Sequence, residues 1–528
     1  MPELRPRSHP GLDQGPLTYT KQPYTDRLIL TVFLVCLVWS LWTAGVGWTN
    51  SLSDSHGFRQ AQTAITSYYL LRGGPFLNYE TPVVGSPWSI PFEFPLYQWV
   101  VAAAAGVLKS PLVQTGRFTS EWFFWLSLLP LWMILAELRV RHVYRFVFLT
   151  LLIVSPEYVF WSRAFLIEST AFCFGMAYLF FLSRYIRTRN IMDALLGGAM
   201  GVVVALVKAP TLPGFGLVAV CLYLLTLRLS SGSHLKALIS GGIAAGAFGG
   251  LPIVCASLWT QHADRVKALN TIGAHMTSAG LKDFTFGALS LRLSPDTWAI
   301  FFGRTIPDLI GTTGILLLPA VALFLSRRRV LPVLVCACGF VGVFLAFTSI
   351  HLIHNYYTYA NGVFLVAAVS WCIVGALESG GWRRAVGLAV FLLCVGNSIH
   401  GYYIRYHDIQ KTNADGQPRV AYAVEGMTSP QDVIVVFGQD WSSELPFYSH
   451  RRALMWPQWM PQDMDSPAMK EATGRLAGSR IGALIVCDRA RRNSRLLESA
   501  RRALEFGAAP EYQDGKCAIY RTSQVATK

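Results

Sequence analysis

Asp54, His56, Arg59 and Gln60 fall in one short polar stretch, Ser53-Asp54-Ser55-His56-Gly57-Phe58-Arg59-Gln60, and Glu93 follows between Phe92 and Phe94, flanked by Pro91 and Pro95. A carboxylate can take the proton of an acceptor hydroxyl. A cation can stabilise the negative charge that grows on a departing phosphate. Acids, imidazole and guanidinium crowded together therefore suit group transfer from an anionic donor. Arg163, Glu168, Lys208, His351, His354 and Tyr356 stand further along, each near the end of an apolar run. Every one of these residues also has a structural reading. Asp54 is a good N-cap for a helix starting near Phe58, and the two roles are compatible. Arg59 is read as functional and Arg72 as facing lipid headgroups. Glu93 either holds a sugar or pins the loop. Arg163 and Glu168 are either site residues or a structural ion pair. His351 and His354 are three apart and could share a helical face, while Asn355-Tyr356-Tyr357 reads equally as an aromatic interface belt. His56 beside Asp54 invites a metal, but no third ligand follows at a defined spacing, so neither a metal nor another cofactor is expected.

The elements that must position these groups are membrane spans. The chain of 528 residues is 53% hydrophobic and only 14% charged, against roughly 25% charged in soluble domains. Its formal net charge of +15 fits Lys- and Arg-rich cytoplasmic loops. The basic residues are dispersed between apolar runs, which argues against nucleic acid as a partner. A span needs about 20 apolar residues. Leu28–Trp48 is the first, and the basic residues before it put an N-terminal tail, residues 1–27, in the cytoplasm. No cleavable signal is expected there. Leu96–Leu108 is too short to cross. If it did, the basic cluster Arg139, Arg141 and Arg145 after the good span Glu121–Leu138 would fall outside, so Leu96–Leu108 is read as an interfacial helix. The same parity carries the chain through Phe146–Phe160, Thr170–Leu182, Ala194–Val207, Leu212–Leu227, Ala237–Trp259, a polar outer loop from Thr260 to about Asp308, then Leu309–Leu325, Val330–Phe347, Gly362–Ala376 and Val386–Ile399. About 11 spans result, and every unusual polar group falls on the outer face. Ionisable groups at membrane depth are expensive and mark function.

The tail, residues 401–528, is different. Asp432–Gly438 and Ile481–Cys487 are short continuous apolar strands, and Ser494–Phe506 has helical spacing with Arg on its polar face. A small α/β domain outside the membrane is expected. The ten cysteines show no metal spacing. Cys487 and Cys517 either form a disulfide, if the tail lies in an oxidising compartment, or are two buried strand cysteines.

Several stretches taken together carry a resemblance. They are His56-Gly57-Phe58-Arg59-Gln60-Ala61-Gln62-Thr63, Glu93-Phe94-Pro95-Leu96-Tyr97, Ser155-Pro156 with Ser162-Arg163-Ala164-Phe165 and Glu168, and His354-Asn355-Tyr356-Tyr357. Over residues 28–400 the chain resembles the bacterial branch of the GT-C glycosyltransferases, relatives of the protein O-mannosyltransferases and the lipid A aminoarabinose transferase. The resemblance implies a transmembrane catalytic domain that inverts the anomeric carbon as it moves a sugar from a polyprenyl-phosphate donor to an acceptor outside the cytoplasmic membrane of a bacterium. The acceptor would be a glycan, a lipid or a protein of the envelope. It implies interfacial helices in the first outer loop. It assigns Asp54 as base with Glu168 as the second acid, and Arg59 to phosphate. Many relatives carry a Lys before the Pro-Leu of the outer helix, where Glu93-Phe94-Pro95-Leu96 stands here. Phosphate would then fall to Arg59, Lys208 or a histidine, and Glu93 becomes a candidate for sugar binding or for the base. The Asp-Glu pair of the mannosyltransferases is also absent, since Ser55 follows Asp54.

The expectation is thus a polytopic α-helical, GT-C-like membrane protein with a small α/β domain at its C-terminal end. Asp54, Glu93 and Glu168 are its candidate catalytic carboxylates. His56, Arg59, Gln60, Arg163, Lys208, His354 and Tyr356 are its candidate donor-binding residues. A transporter or flippase of lipid-linked sugars is the alternative. It would place ionisable residues within spans and show inverted repeats, whereas here they gather at the outer ends.

Overall fold

The computed structural model describes residues 23–229, 234–314, 329–412 and 416–521, with residues 316, 317, 322 and 323 between them. Most of the expected cytoplasmic tail lies outside the described residues, as does part of the expected span Leu309–Leu325.

The chain is a polytopic α-helical membrane protein with a small C-terminal sheet domain. α1 (Pro23–Ala44) opens it. The polar loop that follows leads into α2 (Gly57–Leu71) and α3 (Leu96–Leu108), which pack on one another. Then come α4 (Leu112–Glu137), α5 (His142–Ile153), α6 (Pro156–Trp161), α7 (Glu168–Thr188), α8 (Ile191–Val207) and α9 (Leu212–Leu229). α7 lies between α4 and α8 and packs on both. Among the described residues five helical stretches are long and apolar enough to cross a membrane: Pro23–Ala44, Leu112–Glu137, Ala237–Lys267, Asn355–Ser379 and Gly381–Lys411. Shorter apolar helices, Leu96–Leu108 among them, stand beside these.

Three expectations change. The run Phe146–Phe160 is not one span. It breaks at Ser155, where Pro156 starts α6 at its first turn, because proline lacks the amide an uninterrupted helix requires. The stretch from Thr260 to Asp308 is largely helical rather than a loop, since one helix runs on to Lys267 and another covers Pro295–Ile310. Phe301 and Ile306 are buried there, and so are the polar Thr297, Thr305 and Asp308, so the helix shows no continuous apolar run to a search of the sequence. α4 begins at Leu112, well before Glu121, and so carries Arg117 into the helix.

The tail folds as a five-stranded sheet of order β2-β1-β3-β5-β4, from β1 (Val433–Phe437), β2 (Arg452–Trp456), β3 (Ile481–Cys487), β4 (Tyr512–Gln513) and β5 (Cys517–Arg521). β1, β2 and β3 are parallel, with β5 antiparallel to β3. Every residue of β1 is buried, as expected of a central parallel strand covered on both faces. Cys487 and Cys517 face each other across β3 and β5 and are joined by a disulfide.

The loop between α2 and α3 adds to this sheet. Gly85 donates its amide to Ala453 O (2.9 Å), Ala453 to Pro82 O (2.9 Å) and Met455 to Val83 O (2.8 Å). Residues 82–85 thereby line the β2 edge, with Val84 antiparallel to Leu454. Arg452 pairs with Glu80 at 2.7 Å. Ala61, Ile65, Val83 and Val84 share one apolar core with Leu454, Met455 and Trp456. The loop is therefore part of the tail domain's packing and is not free to move independently of it.

Candidate active site

The turn after α1 is set by Gly47, whose φ is +62° and where a Cβ would strike Gln410 O. Only glycine takes this conformation without strain so close to another backbone. The carbonyls of this turn face two buried guanidiniums. Arg117 donates to Gly47 O (3.2 Å), Trp48 O (2.7 Å), Asn50 O (2.8 Å) and Ser51 O (3.0 Å). Arg163 donates to Gly47 O at 2.9 Å. Both side chains are almost wholly buried, at 0% and 1% exposure, and both face Asp54 Oδ2, at 3.7 and 3.8 Å. Asp54 Oδ1 accepts from the Ser55 amide (2.7 Å) and from Gln60 Nε2 (2.6 Å). Gln60 Oε1 in turn accepts from the Phe165 amide at 3.0 Å. Asp54 is thus fixed from α2, α4 and the segment after α6. It does not cap α2: His56 is the residue at that position, with φ 48°, and no side chain caps the helix.

A second group of charges lies along the other face of α2. Arg59 donates to Glu93 and to Gln62. Lys208, at the C-terminal end of α8, donates to Glu168 at the start of α7. Burial pulls the Lys208 pKa down, and the Glu168 charge opposes that pull. The Lys208 ammonium sits 3.8 Å from the centroid of the Tyr357 ring and 5.1 Å from that of Tyr356, a cation–π arrangement. The second oxygen of Glu168 and Nδ1 of His354 are buried without a hydrogen-bond partner among the described residues. His354 stacks on Tyr357, and burial, with the nearby charges of Arg59, Lys208 and Arg304, pushes its pKa down to about 3. His56 bridges the two groups. Its Nε2–H donates to Asn355 Oδ1 (2.9 Å), and its ring lies 4.9 Å from Tyr356 and 5.7 Å from His354.

The ten candidate residues therefore fall into two adjoining sets. Asp54, Gln60 and Arg163 form one; Arg59, Glu93, Glu168, Lys208, His354 and Tyr356 form the other, with His56 between them. Arg163 and Glu168 do not pair with each other. His351 stands behind Tyr357: its Nδ1 faces Phe347 O at 2.6 Å, and its ring packs on Phe344 and edge-on to Tyr357. Arg72 lies at the far end of α2, away from both sets. Among the described residues no group of three or more His, Cys, Asp or Glu side chains gathers as a metal-binding set.

Two contributors escaped the sequence reading. Arg117 reads as a residue of the loop before a span, and its role is visible only once the carbonyls of residues 47–51 converge on it. Arg304 lies in the stretch read as a polar loop. It donates to Leu352 O (3.0 Å) and to His351 O, fixing the turn that presents His354.

Four residues after Lys208 an apolar cavity begins. It has a volume of about 550 Å³ and lies between α7, α9 and the helix that passes through Phe248, with Leu212, Leu217, Leu224, Tyr178 and Phe248 among its walls. Known structures share this backbone. No family profile matches the chain, and no curated protein matches it. ArnT from Cupriavidus metallidurans, solved bound to undecaprenyl phosphate, aligns with a TM-score of 0.61 at 14% identity, over 96% of this chain and 99% of that one. The chain has a GT-C fold. AglB, an oligosaccharyltransferase from Archaeoglobus fulgidus solved with an inhibitory peptide and a dolichol-phosphate, aligns with a TM-score of 0.53 at 10% identity, over 88% of this chain and 70% of that one. At such identities the GT-C likeness is one of fold, and the chemistry rests on this chain's own residues.

Proposed function

We propose that the chain is an inverting glycosyltransferase that moves a sugar from a polyprenyl-phosphate donor to an envelope glycan, lipid or protein. It would work in the cytoplasmic membrane of a bacterium, with the first outer loop and the tail domain on the periplasmic or extracellular side. The observation that carries this reading is the pair of cations in one charged set, Arg59 on Glu93 and the buried Lys208 on Glu168, with Lys208 four residues before Leu212, which lines the apolar cavity. A lipid phosphate needs both, an apolar wall for its chain and cations for its head.

In this reading Arg59 and Lys208 meet the phosphate, and Glu93 and Glu168 hold them in place. The acceptor hydroxyl oxygen attacks the anomeric carbon from the face opposite the phosphate. Its proton passes to Asp54, and the bond between the anomeric carbon and the phosphate oxygen breaks. The electron pair leaves with the polyprenyl phosphate, whose new charge the two cations stabilise. Neutral His354, stacked on Tyr357, offers a hydrogen-bonding nitrogen to sugar or phosphate without adding charge. His56, Gln60, Tyr356 and Arg163 frame the sugar between the two sets. The cations supply the positive charge the step requires, so the reading assigns no cofactor.

The test is a transfer assay in membranes. Wild type, Asp54→Asn, Glu93→Gln and Glu168→Gln are expressed at matched levels and supplied with a pool of polyprenyl-phosphate sugars, and release of polyprenyl phosphate is measured. Asp54→Asn should lose about 10²–10⁴-fold in rate. Loss in Glu168→Gln with activity kept in Asp54→Asn would move the base to Glu168. No release by wild type from a competent donor pool would sink the proposal in favour of transport.

A further inference from the structure

α2 joins two places. Its N-terminal turn carries Arg59 of the reaction site. Its C-terminal turn carries Tyr68, Tyr69 and Arg72, which wall a second cavity, of about 490 Å³, against His450 and Arg452 of the tail domain. Cavities of a few hundred Å³ are the size of small-ligand sites. The chemistry of the wall is specific. The rings of Tyr68 and His450 stack at 4.9 Å, and the Arg72 guanidinium lies 4.4 Å over Tyr68. Arg452 is neutralised by Glu80 at 2.7 Å, and His450 faces Glu425 at 2.9 Å. Arg72 makes no ion pair among the described residues, so the cavity keeps one uncompensated guanidinium above an aromatic platform. The turn that follows leaves it open, since at Gly73 a side chain would meet nothing.

We propose that this cavity binds an anionic saccharide, a sugar bearing a carboxylate or a phosphate, as a remote part of the acceptor. Tyr68 and Tyr69 line the cavity and offer aromatic contact area to the carbon face of a sugar ring. A guanidinium fits a carboxylate or a phosphate with two parallel hydrogen bonds. The 13 residues between Arg59 and Arg72, at 1.5 Å each, separate the cavity from the reaction site by roughly 20 Å. The transferred sugar cannot occupy both places, but an extended acceptor can. Binding at such a distance anchors the acceptor and contributes at the reacting end by orienting it. The proposal rests on the transferase reading for the word acceptor, while the binding itself does not.

Full-length protein in phosphatidylcholine nanodiscs is titrated with digalacturonate, mannose 6-phosphate, maltose and glycerol 3-phosphate, with tyrosine and tryptophan fluorescence as readout. The two anionic saccharides should bind at least about tenfold more tightly than maltose or glycerol 3-phosphate, the worth of one charge-assisted contact. Arg72→Gln should bring them to the level of maltose, and Tyr68→Ala should weaken maltose as well. Both variants should melt with the wild type, which shows that they fold, while transfer to an anionic saccharide acceptor falls at least about tenfold. Equal binding of maltose would overturn the proposal, and so would anion binding unchanged in Arg72→Gln. Equal binding of glycerol 3-phosphate would overturn it in favour of a lipid-headgroup site. Failure of donor cleavage in wild type would instead sink the transferase reading and leave the binding result standing.

Discussion

Replacing Arg117 by lysine keeps a positive charge at the buried centre of the first outer loop and removes the fork. The arginine reaches four carbonyls at 2.7–3.2 Å through two nitrogens, and Asp54 through one of them at 3.7 Å. A single ammonium has three donors on one atom and cannot span those positions. Two of the four carbonyl contacts are expected to be lost. A hydrogen bond to a charged group contributes about 1.5–3 kcal/mol, so the loop should be destabilised by roughly 3–6 kcal/mol, a large share of a typical total of about 5–15 kcal/mol. Asp54 should also drift, because Arg163 alone then faces its Oδ2. A displacement near 1 Å costs about 100-fold in a positioned reaction. Thermal unfolding of the detergent-solubilised protein should move down by several degrees. In steady-state transfer kcat should fall while the donor KM stays, since the cations that would bind phosphate are untouched. A variant that melts with the wild type and turns over within a factor of two would refute the view that Arg117 holds the loop and aims Asp54.

Three other outcomes follow from the same geometry. Lys208→Met leaves Glu168 buried without its partner and should cost about 3–5 kcal/mol; adding Glu168→Gln should restore the melting temperature but not transfer, and a rescue of both would remove Lys208 from the reaction. Reduction of Cys487–Cys517, which closes a loop of 30 residues, should lower the stability of the tail domain by about 3–4 kcal/mol, and identical melting with and without reductant would contradict it. His351 and His354 are both held at about 3, chiefly by burial, below their ordinary pKa of about 6.5. The unfolded chain therefore binds more protons between those values, so stability should fall as the pH drops from about 6.5 to about 3. His354→Asn should flatten that slope, which melting curves at a series of pH values would reveal.

What the sequence made legible was local. The apolar run before Trp48, the short interfacial helix Leu96–Leu108, the strands at Val433–Phe437 and Ile481–Cys487 and the helix from Ser494 all follow from composition and period. The convergence of acids and bases at one face came from parity alone. The pairings were not legible, because they are made by residues far apart: Arg59 with Glu93 is 34 positions in separation, and Lys208 with Glu168 is 40. β2 was missed because Ala453-Leu454-Met455-Trp456 is a brief run that reads as well for a helix turn. Arg117 was missed for a physical reason. A buried arginine is stabilised by carbonyls, which every residue carries, so no side-chain pattern announces its partners.

The strand that residues 82–85 add to the β2 edge has a consequence in time. Glu80 and Arg452, which clamp it, lie 372 positions apart. At a synthesis rate of about 5–20 residues per second, the first outer loop waits roughly 20–75 s for the edge it belongs to. Until the tail has been made and folded, Pro82 to Gly85 lack the β2 edge they pair with, and the loop that holds Asp54 and Glu93 lacks the tail's share of its core. A truncated or stalled chain therefore carries the helices but lacks the strand pairing that fixes this loop. The C-terminal domain acts as a completion check: the last quarter of the chain to be made sets the shape of the first loop.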